Sequence, residues 1–430
     1  MSVAGGAAET PGEEAAGTVA VWRSTLLPPS ETFIRHQMDA MSRWLPVAVG
    51  LERRPSPVAS DADEVVFPAT SAGRIRRGLF RRTRWSPAVE RRLRSVDARL
   101  IHAHFLPEAL LISPTARRLG LPLIATAHGY DVNHLPLVSS PRYRRRLRRL
   151  FAQAEAVVAV SGFVAGRLAE LGCPPGKILR IPIGIPLRPP ADRDAAADAA
   201  AGRTWDIVFA GRLIEFKGVD HLLRSLADLR GQGRPATLAI VGDGPLRPAL
   251  EREARELGLE IGVDVDFLGW RPPAGVDSVL RRGRIFCAPS LRATDGSREG
   301  FGMVFLEAAA AGLPVVSYRS GGVPEAVADG VTGLLAPEGD NAGLTAHLRT
   351  LLDDAGLAAR MGSAGRRRVL AEFDVGVRTA ALEDAYDRTA RRTPGPDPAR
   401  PTGPARPSGF PAVAHALPAA VDSTPSADPA

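Results

Sequence analysis

The sequence predicts an α/β protein built from two doubly wound domains that face each other across a cleft. Short apolar runs of strand length alternate with amphipathic runs of helical period along two stretches of the chain. A segment rich in proline and alanine separates these two stretches. The length of 430 residues, 45% of them hydrophobic, exceeds one ordinary domain and is sufficient for two hydrophobic cores.

The alternation and the separating segment together set the expected domain boundaries. Strands that alternate with helices form a parallel sheet with helices on both faces, and ligands bind beyond the carboxyl ends of its strands. We expect a disordered N-terminus at 1–17, a first domain at 18–185, a linker at 186–203, a second domain at 204–370, a helix at 371–392 that crosses back to the first domain, and a disordered tail rich in proline and alanine at 393–430.

In the first domain, the initial strand is followed by an amphipathic helix that starts near Glu31. Short apolar runs predict strands at 18–22, 47–49, 65–66, 100–101, 123–127 and 156–160. The last two strands end at His128-Gly129 and at Ser161. These residues are therefore expected at the ligand-binding edge of the sheet.

The second domain repeats the alternation after the linker. Its apolar runs predict strands at 206–210, 237–241, 265–268, 284–288 and 313–318. Helical patterns occupy 218–230, 245–257, the residues directly after Gly302, and 341–392. The expected helix after Gly302 matters most, because it starts immediately after two glycines.

That helix is apolar and rich in alanine, and Gly300 and Gly302 precede it. Glycines allow close approach of a ligand to the backbone, and the positive helix end with its free N–H groups suits a diphosphate. Glu299 lies before the helix and Glu307 is expected in its first turn, where carboxylates can accept hydrogen bonds from sugar hydroxyls. The pattern predicts a nucleotide-sugar site. The alternative is a plain turn with Glu307 complementing the helix dipole.

Two cations follow the first strand of the second domain directly. Gly211-Arg212-Leu213 and Lys217-Gly218 place a guanidinium and an ammonium at a strand's carboxyl end, where they would face the Gly300 site. They could neutralise two phosphates and stabilise a departing diphosphate. Alone, they could equally be solvated loop charges. The turn Gly242-Asp243-Gly244-Pro245 either borders the ligand or simply turns the chain.

The formal net charge of +8 is distributed unevenly. Nine arginines fall between Arg74 and Arg94, and six fall between Arg142 and Arg149, with apolar residues interleaved in both clusters. Such clusters solvate a helix surface or bind an anionic membrane. Nucleic acid is not expected as a partner, because no RNA-binding motif or aromatic platform accompanies the charge.

Targeting features and cysteines favour a cytoplasmic protein. The first 17 residues have neither the basic start nor the apolar core of a secretory signal, and no run of about 20 apolar residues occurs. Cys173 and Cys287 are the only cysteines and fit packing positions in a reducing compartment. If the arginine clusters contact lipid, the protein would be peripheral at the inner face of the plasma membrane.

Taken together, these motifs resemble the retaining glycosyltransferases of family 4, which have the GT-B fold of two Rossmann-like domains. The resemblance runs from about residue 18 to 390. In the first domain it is to the branch that builds exopolysaccharides of the colanic-acid kind. The motifs that carry it are Ser30-Glu31-Thr32-Phe33-Ile34, Ile101-His102-Ala103-His104-Phe105, Ala127-His128-Gly129-Tyr130-Asp131, Gly211-Arg212-Leu213, Lys217-Gly218, Gly242-Asp243-Gly244-Pro245, Phe267-Leu268-Gly269-Trp270, Pro289-Ser290, Glu299-Gly300-Phe301-Gly302, Glu307, Gly312-Leu313-Pro314 and Gly321-Gly322-Val323-Pro324-Glu325.

The resemblance implies a role for each matching residue. Arg212 and Lys217 would bind the donor diphosphate, Glu307 the ribose hydroxyls, and Glu299 the donor sugar, while His128 would lie near the reacting carbon. These residues except Glu307 form the expected catalytic set. Further donor contacts are expected from Gly211, Gly242, Gly244, Gly269, Trp270, Gly300, Phe301, Gly302 and Met303, and acceptor-side contacts from Glu31, Thr32, His104 and Asp131.

The acceptor side is the less predictable half of the cleft. Many members of the family carry a glycine-rich loop after the first strand, and here Leu26-Leu27-Pro28-Pro29 stands in its place. Asp131 could be a turn residue, a helix cap or a ligand of an acceptor hydroxyl. A saccharide or a lipid-linked saccharide is the expected acceptor.

No metal or other cofactor is expected, because Arg212 and Lys217 would take the place of a cation. His102 and His104 share one face of a strand, but no third ligand is evident from spacing. Asp264-Val265-Asp266 has the outline of a manganese-binding pair, but it lies at the start of a strand and is interpreted as surface.

The resemblance implies transfer with retention of anomeric configuration, with the leaving phosphate taking the acceptor's proton. The protein would supply positioning and charge stabilisation. Three alternatives stay open: a sugar-nucleotide epimerase, a metal-dependent transferase that uses Asp264 and Asp266, and a non-catalytic nucleotide-sugar-binding protein.

Overall fold

Strands and helices alternate along both halves of the chain. The computed structural model describes residues 15–28, 31–56, 58–187 and 205–392. Residues 1–14, Ser30, most of the expected linker and the expected tail from 393 lie outside the described residues. The strands are β1 (Thr18–Trp22), β2 (Thr25–Leu26), β3 (Leu45–Gly50), β4 (Glu52–Arg53), β5 (Glu64–Val65), β6 (Ala98–His104), β7 (Leu123–Ala127), β8 (Ala156–Ala159), β9 (Ile178–Arg180), β10 (Trp205–Ala210), β11 (Leu238–Val241), β12 (Val265–Gly269), β13 (Gly283–Cys287), β14 (Val315–Tyr318) and β15 (Gly333–Ala336).

The helices fill the intervals between strands and the C-terminal part of the described chain. They are α1 (Thr32–Asp39), α2 (Ser71–Thr83), α3 (Pro87–Ser95), α4 (Leu106–Leu119), α5 (Tyr130–Asn133), α6 (Leu135–Val138), α7 (Pro141–Gln153), α8 (Gly162–Glu170), α9 (Val219–Gly231), α10 (Arg247–Glu256), α11 (Pro273–Arg281), α12 (Met303–Ala310), α13 (Val323–Ala326), α14 (Asn341–Asp353), α15 (Ala355–Glu372) and α16 (Val375–Arg392). None of these helices is long and apolar enough to cross a membrane.

Thirteen of these strands form two parallel sheets, one in each half of the chain, and β2 and β4 pair separately as a two-stranded parallel sheet. The first has the order β5-β3-β1-β6-β7-β8-β9 and the second the order β12-β11-β10-β13-β14-β15. The order reverses beside the first strand of each sheet, between β1 and β6 and between β10 and β13. Crevices at such points bind ligands. The predicted fold class, α/β with two doubly wound domains, is confirmed.

The strands are continuous apolar runs in the sequence because they are buried on both faces of their sheets. All five residues of β1 and of β7 are buried, as are the last four of β10. Helices cover both faces of a parallel sheet, so its strands do not alternate apolar with polar residues. Both cysteines are free and buried, in agreement with the packing positions expected for them.

The last described helix, α16, lies against the first sheet. Glu383 is buried, and its Oε1 accepts hydrogen bonds from the backbone N–H groups of Ser42, Arg43 and Trp44, at 3.0, 2.7 and 3.0 Å. Tyr386 donates or accepts a 2.7 Å hydrogen bond with His102 Nδ1. The helix is therefore joined to the first sheet by buried polar contacts as well as by apolar packing.

Glu383→Ala is expected to lower the free energy of unfolding by about 3 kcal/mol, because it leaves buried N–H donors without an acceptor. The matched control is Asp384→Ala, since the Asp384 carboxylate is 57% exposed and pairs with the same Arg43. That change should cost less than about 1 kcal/mol. Urea denaturation of both variants measures the difference, and equal losses would contradict the role assigned to Glu383.

Candidate active site

A cleft lies between the carboxyl ends of the two sheets and encloses about 460 Å³. Both halves of the chain contribute to its wall, as expected of two facing domains. The predicted site residues that line it are Thr32, His128, Gly211, Arg212, Lys217, Gly242, Trp270, Glu299, Phe301, Gly302, Met303 and Glu307. The topology brings these residues together, because each follows or lies close to the carboxyl end of a strand.

The helix α12 points its N-terminus at the cleft. Gly302 is the residue before the helix, has φ +92°, and no side chain caps the N–H groups that follow. A left-handed φ favours glycine, and uncapped N–H groups can bind an anion. Glu307 lies in the second turn of α12. The expectation that it lies in the first turn is wrong, because the helix begins at Met303.

The Lys217 ammonium forms an ion pair with Glu299 across the second sheet's switch point, at 2.5 Å. Both side chains are largely buried at the cleft wall. Burial raises the pKa of Glu307, and the nearby Lys217 opposes that rise. The two carboxylates and the cation that the sequence singled out therefore interact with one another.

Two glycines, Gly211 and Gly242, line the cleft directly after β10 and β11 end. Gly211 N–H donates to the Val241 carbonyl and Gly242 N–H donates to the Gly269 carbonyl, each at 2.9 Å. A Cβ on Gly242 would lie 1.9 Å from the Gly211 carbonyl oxygen. Only glycine allows the two strand ends to approach so closely.

Gly244, Gly269 and Gly300 do not line the cavity, although they were predicted as donor contacts. Each lies in a turn that positions residues which do. A Cβ on Gly244 would lie 2.4 Å from the Leu213 carbonyl oxygen, and Gly269 has φ +70°. Chain packing behind the cleft therefore requires glycine at Gly244, and the left-handed φ favours glycine at Gly269.

The imidazole of His128 lies on the first-domain side of the cleft between two aromatic rings. The ring centroids of Phe33 and Phe105 are 5.0 and 4.4 Å from that of His128. Its Nε2 is 3.1 Å from His104 Nδ1, and its Nδ1 has no partner among the described residues. Burial, with a contribution from the positive charge of Arg23, lowers the pKa of His128 to about 3, so the ring is neutral.

Glu31, His104 and Asp131, predicted on the acceptor side, lie behind the cavity wall and do not line it. Glu31 forms an ion pair with Arg23. The Asp131 carboxylate accepts hydrogen bonds from the N–H groups of Leu106, His128 and Gly129 at 3.0 to 3.1 Å. Of the alternatives left open for Asp131, the structure shows a buried carboxylate that joins two strand-to-helix turns.

Sequence reasoning missed several residues that line the cavity, among them Phe33, Phe105, Asp243 and Arg271. Phe105 follows β6 with φ +71°, a conformation that costs a non-glycine residue free energy. Its position directly after a strand was the available signal. Phe33 and Asp243 lie within motifs that were recognised, but neither was singled out.

The metal-site alternatives find no support in the carboxylate contacts. The Asp264 carboxylate is buried and pairs with Arg230, so its interpretation as surface is wrong. Asp266 accepts a 2.6 Å hydrogen bond from the Trp205 indole. His102 Nε2 is 2.7 Å from Thr126 Oγ1. Within the described ranges, no group of three His, Cys, Asp or Glu side chains could hold a metal ion.

The loops that carry the site hold the two domains against each other. Ser161 Oγ donates a 2.6 Å hydrogen bond to the Gly300 carbonyl. Glu325 accepts from the N–H groups of Gly162 and Phe163, at 2.7 and 3.1 Å, at the N-terminus of α8. A carboxylate from the second domain thus complements a helix end of the first. The structure is a closed arrangement of the two domains.

Two doubly wound sheets that share such a cleft define a protein of the GT-B class. Two family models match the chain, glycosyltransferase family 4 over residues 31–188 and glycosyl transferases group 1 over residues 192–368. The chain belongs to the glycosyl transferases group 1 of glycosyltransferase family 4, and it is a glycosyltransferase. The family resemblance drawn from the motifs is confirmed.

Known relatives agree with this assignment. The chain is 35% identical, over 64% of its length and 72% of the relative's, to the GDP-mannose-dependent alpha-(1-6)-phosphatidylinositol monomannoside mannosyltransferase of Mycolicibacterium smegmatis. It is 32% identical to WcaL of Salmonella typhimurium, a glycosyltransferase assigned to colanic acid biosynthesis, over 57% of this chain. It spans 59% of WcaL, less than two thirds of that relative's length.

Solved structures support the fold. HepE of Anabaena, in complex with UDP and glucose, matches with a TM-score of 0.67 and 21% identity, over 86% of this chain and 99% of that chain. At this level of identity the likeness extends to the fold alone. It agrees with the GT-B arrangement of the two sheets.

Gly300→Ala is expected to lower the kcat/KM of sugar transfer by about tenfold to a hundredfold. The added Cβ would lie 2.1 Å from the His128 carbonyl oxygen, so the two domains could not close as they do here. The matched control is Gly166→Ala in α8, where a Cβ meets nothing within 4 Å. Activity assays and melting temperatures of both variants test this. Unchanged activity of Gly300→Ala would contradict the closed arrangement as the active one.

Proposed function

We propose that this glycosyltransferase moves a hexose from a UDP- or GDP-linked sugar to a saccharide or lipid-linked acceptor, with retention and without a metal ion. The proposed setting is exopolysaccharide or glycolipid biosynthesis. One observation carries the proposal. In the cleft, the ion pair of Lys217 with Glu299 lies beside the uncapped N-terminus of α12. A cation and free N–H groups together suit a diphosphate.

The roles proposed for the donor side follow from this geometry. Arg212 and Lys217 neutralise the diphosphate, and their attraction grows as the leaving group gains charge. Glu307 accepts hydrogen bonds from the ribose hydroxyls. Glu299, oriented by Lys217, and the backbone amides of Gly300 to Met303 bind the donor sugar and phosphates.

Retention is proposed with the leaving phosphate as the base that takes the acceptor's proton. The transition state would carry positive charge on the sugar, as an oxocarbenium ion does. The neutral imidazole of His128 is suited to its neighbourhood, because it can hydrogen-bond a sugar hydroxyl without adding a positive charge. In this account, the chain supplies positioning and charge stabilisation.

The relatives' names support the donor and acceptor classes without choosing among them. One relative is named for GDP-mannose and a phosphatidylinositol monomannoside, and a structural neighbour was solved with UDP and glucose. A lipid-linked acceptor would place this enzyme in the cytoplasm, peripheral at the inner face of the plasma membrane, with the two arginine clusters as its contact.

The test is release of nucleotide diphosphate from a panel of UDP- and GDP-sugars, with and without a chelator. Release that survives the chelator and is lost in Arg212→Ala supports the proposal. Arg319→Ala is the control, because Arg319 lies away from the cleft and pairs with Asp329 at the surface. Loss of activity with the chelator would support a metal-dependent transferase. An isomerised donor indicates an epimerase, and binding without release, even with membranes supplied as acceptor, indicates a binding protein.

A further inference from the structure

The helix α2 presents large apolar side chains to solvent. Ile75 is 72% exposed, Leu79 is 58% exposed, and Trp85, just after the helix, is 53% exposed. Ile75, Leu79 and Arg82 are spaced i, i+4 and i+7, so they share one helix face. Phe80 is fully buried on the opposite face. The helix is thus attached to the domain by one apolar face and exposes a second.

The helix α7 presents arginines. Its residues Tyr143, Leu147, Leu150 and Phe151 are buried against the first domain. The arginines that point away from this face are Arg142, Arg145, Arg146, Arg148 and Arg149. None of these five forms an ion pair within the described ranges, nor do Arg74, Arg76 and Arg82 of α2. In contrast, Arg77 and Arg81 both pair with Glu52.

The two arginine clusters are adjacent in space, although residues 95–141 separate them in sequence. Burial and the positive charge of Arg146 lower the pKa of Arg84, which follows α2 directly. Arg118, in α4, donates to the Arg84 carbonyl at 3.3 Å, and α4 packs against α7. Like charges are therefore held close together on one surface, which an anionic partner would stabilise.

We infer that α2, Trp85 and α7 form a docking surface for an anionic lipid bilayer, with Ile75, Leu79 and Trp85 entering the headgroup region. Arginines bind lipid phosphates, while exposed Trp and aliphatic side chains partition into the interface. A nucleic acid would use the arginines but not the aliphatic side chains. The apolar stripe is the feature that favours lipid.

The segment that precedes α7 contacts a loop of the second domain that leads to the cleft. Leu135 N–H donates a 2.7 Å hydrogen bond to the Asp295 carbonyl, in the loop that continues to Glu299. The helix α7 begins shortly after, at Pro141. A bilayer held against the start of α7 would therefore lie near the loop that leads to Glu299, which would suit the lipid-linked acceptor of the proposed function, on which this last step rests.

The test is co-sedimentation of the full chain with vesicles of phosphatidylcholine alone or mixed with phosphatidylglycerol. We expect binding to the anionic vesicles only. Ile75→Ser/Leu79→Ser/Trp85→Ser should weaken the partition coefficient at least about tenfold. Arg145→Glu/Arg149→Glu should weaken it at least about thirtyfold. The control is Arg252→Glu/Arg255→Glu on α10, which changes the net charge equally and should have less than about a threefold effect.

No binding of the wild-type chain to anionic vesicles would overturn the inference. So would equal losses in the α7 and α10 variants, which would indicate net charge alone. Binding that survives the triple apolar variant, or a preference for a single-stranded oligonucleotide over vesicles, would also overturn it. Because vesicle binding requires no turnover, its failure is distinguishable from failure of the proposed transferase, which donor hydrolysis measures separately.

Discussion

Lys217→Met is expected to lower the kcat/KM for the donor by about 10² to 10³-fold. The ammonium of Lys217 is largely buried at the cleft wall, beside the N-terminus of α12. In such a site a fixed positive charge stabilises a developing diphosphate more strongly than it would in water. Methionine retains most of the apolar stem, so the loss reports on the charge.

The ion pair with Glu299 supplies the control for this prediction. Lys217→Met leaves the Glu299 carboxylate unpaired beside the donor phosphates, and that repulsion alone could lower activity. The double variant Lys217→Met/Glu299→Gln removes the repulsion and restores neutrality. If Lys217 acts on the leaving group, the double variant is slower than Glu299→Gln alone, whereas if Lys217 only neutralises Glu299, the double variant and Glu299→Gln have equal activity.

Steady-state and single-turnover kinetics of the single and double variants distinguish these cases. A role on the leaving group predicts a loss that falls mainly on the chemical step. A loss confined to KM in Lys217→Met would mean that Lys217 contributes only donor binding. Equal kcat/KM in the double variant and in Glu299→Gln alone would contradict the role of Lys217 in departure of the diphosphate.

Local motifs predicted well which residues of the second domain line the cleft, and the reason is physical. Arg212 and Lys217 both follow β10 within seven residues, so chain connectivity alone places them at the carboxyl edge of the second sheet, and Gly302 directly precedes α12. A left-handed glycine before a helix is likewise a local feature. No information on distant parts of the chain was needed to predict these positions.

The acceptor side depends on contacts that are remote in sequence. Whether Asp131 faces the cleft or the turns behind it is decided by Leu106, whose N–H it accepts. The buried Asp264 carboxylate is paired with Arg230, which lies on helix α9, before β11 in the sequence. The buried contacts of Glu383 with residues 42 to 44 cross almost the whole chain. The spacing of motifs and the periodicity of apolar residues do not indicate which residues remote in sequence will pair.

Mild acid is expected to destabilise this protein steeply. His102, His104 and His128 are all buried, and burial lowers the pKa of each, to about 3 for His102 and His128. In the unfolded chain these groups would titrate near pH 6.5. Below that pH the unfolded state binds protons that the folded state does not, so the free energy of unfolding falls as the pH falls.

The expected loss of free energy of unfolding follows from the thermodynamic linkage between protonation and folding. Each such histidine lowers the free energy of unfolding by about 1.4 kcal/mol for every pH unit below the pKa that it has in the unfolded chain. Between pH 6.5 and pH 5, His102 and His128 together should cost about 4 kcal/mol, with a further loss from His104. Folded domains have only about 5 to 15 kcal/mol in total. Most carboxylates stay ionised in this range, so the histidines dominate the loss.

Urea denaturation at intervals from pH 7.5 to pH 5 measures this dependence. His102→Gln should reduce the slope by about 1.4 kcal/mol per pH unit, whatever it does to stability at neutral pH. The same replacement at His347, on helix α14, is the control for the loss of one histidine from the chain. A flat profile for the wild-type protein would mean that the three imidazoles become protonated in the folded state. That result would also remove the argument that His128 faces the donor sugar as a neutral ring.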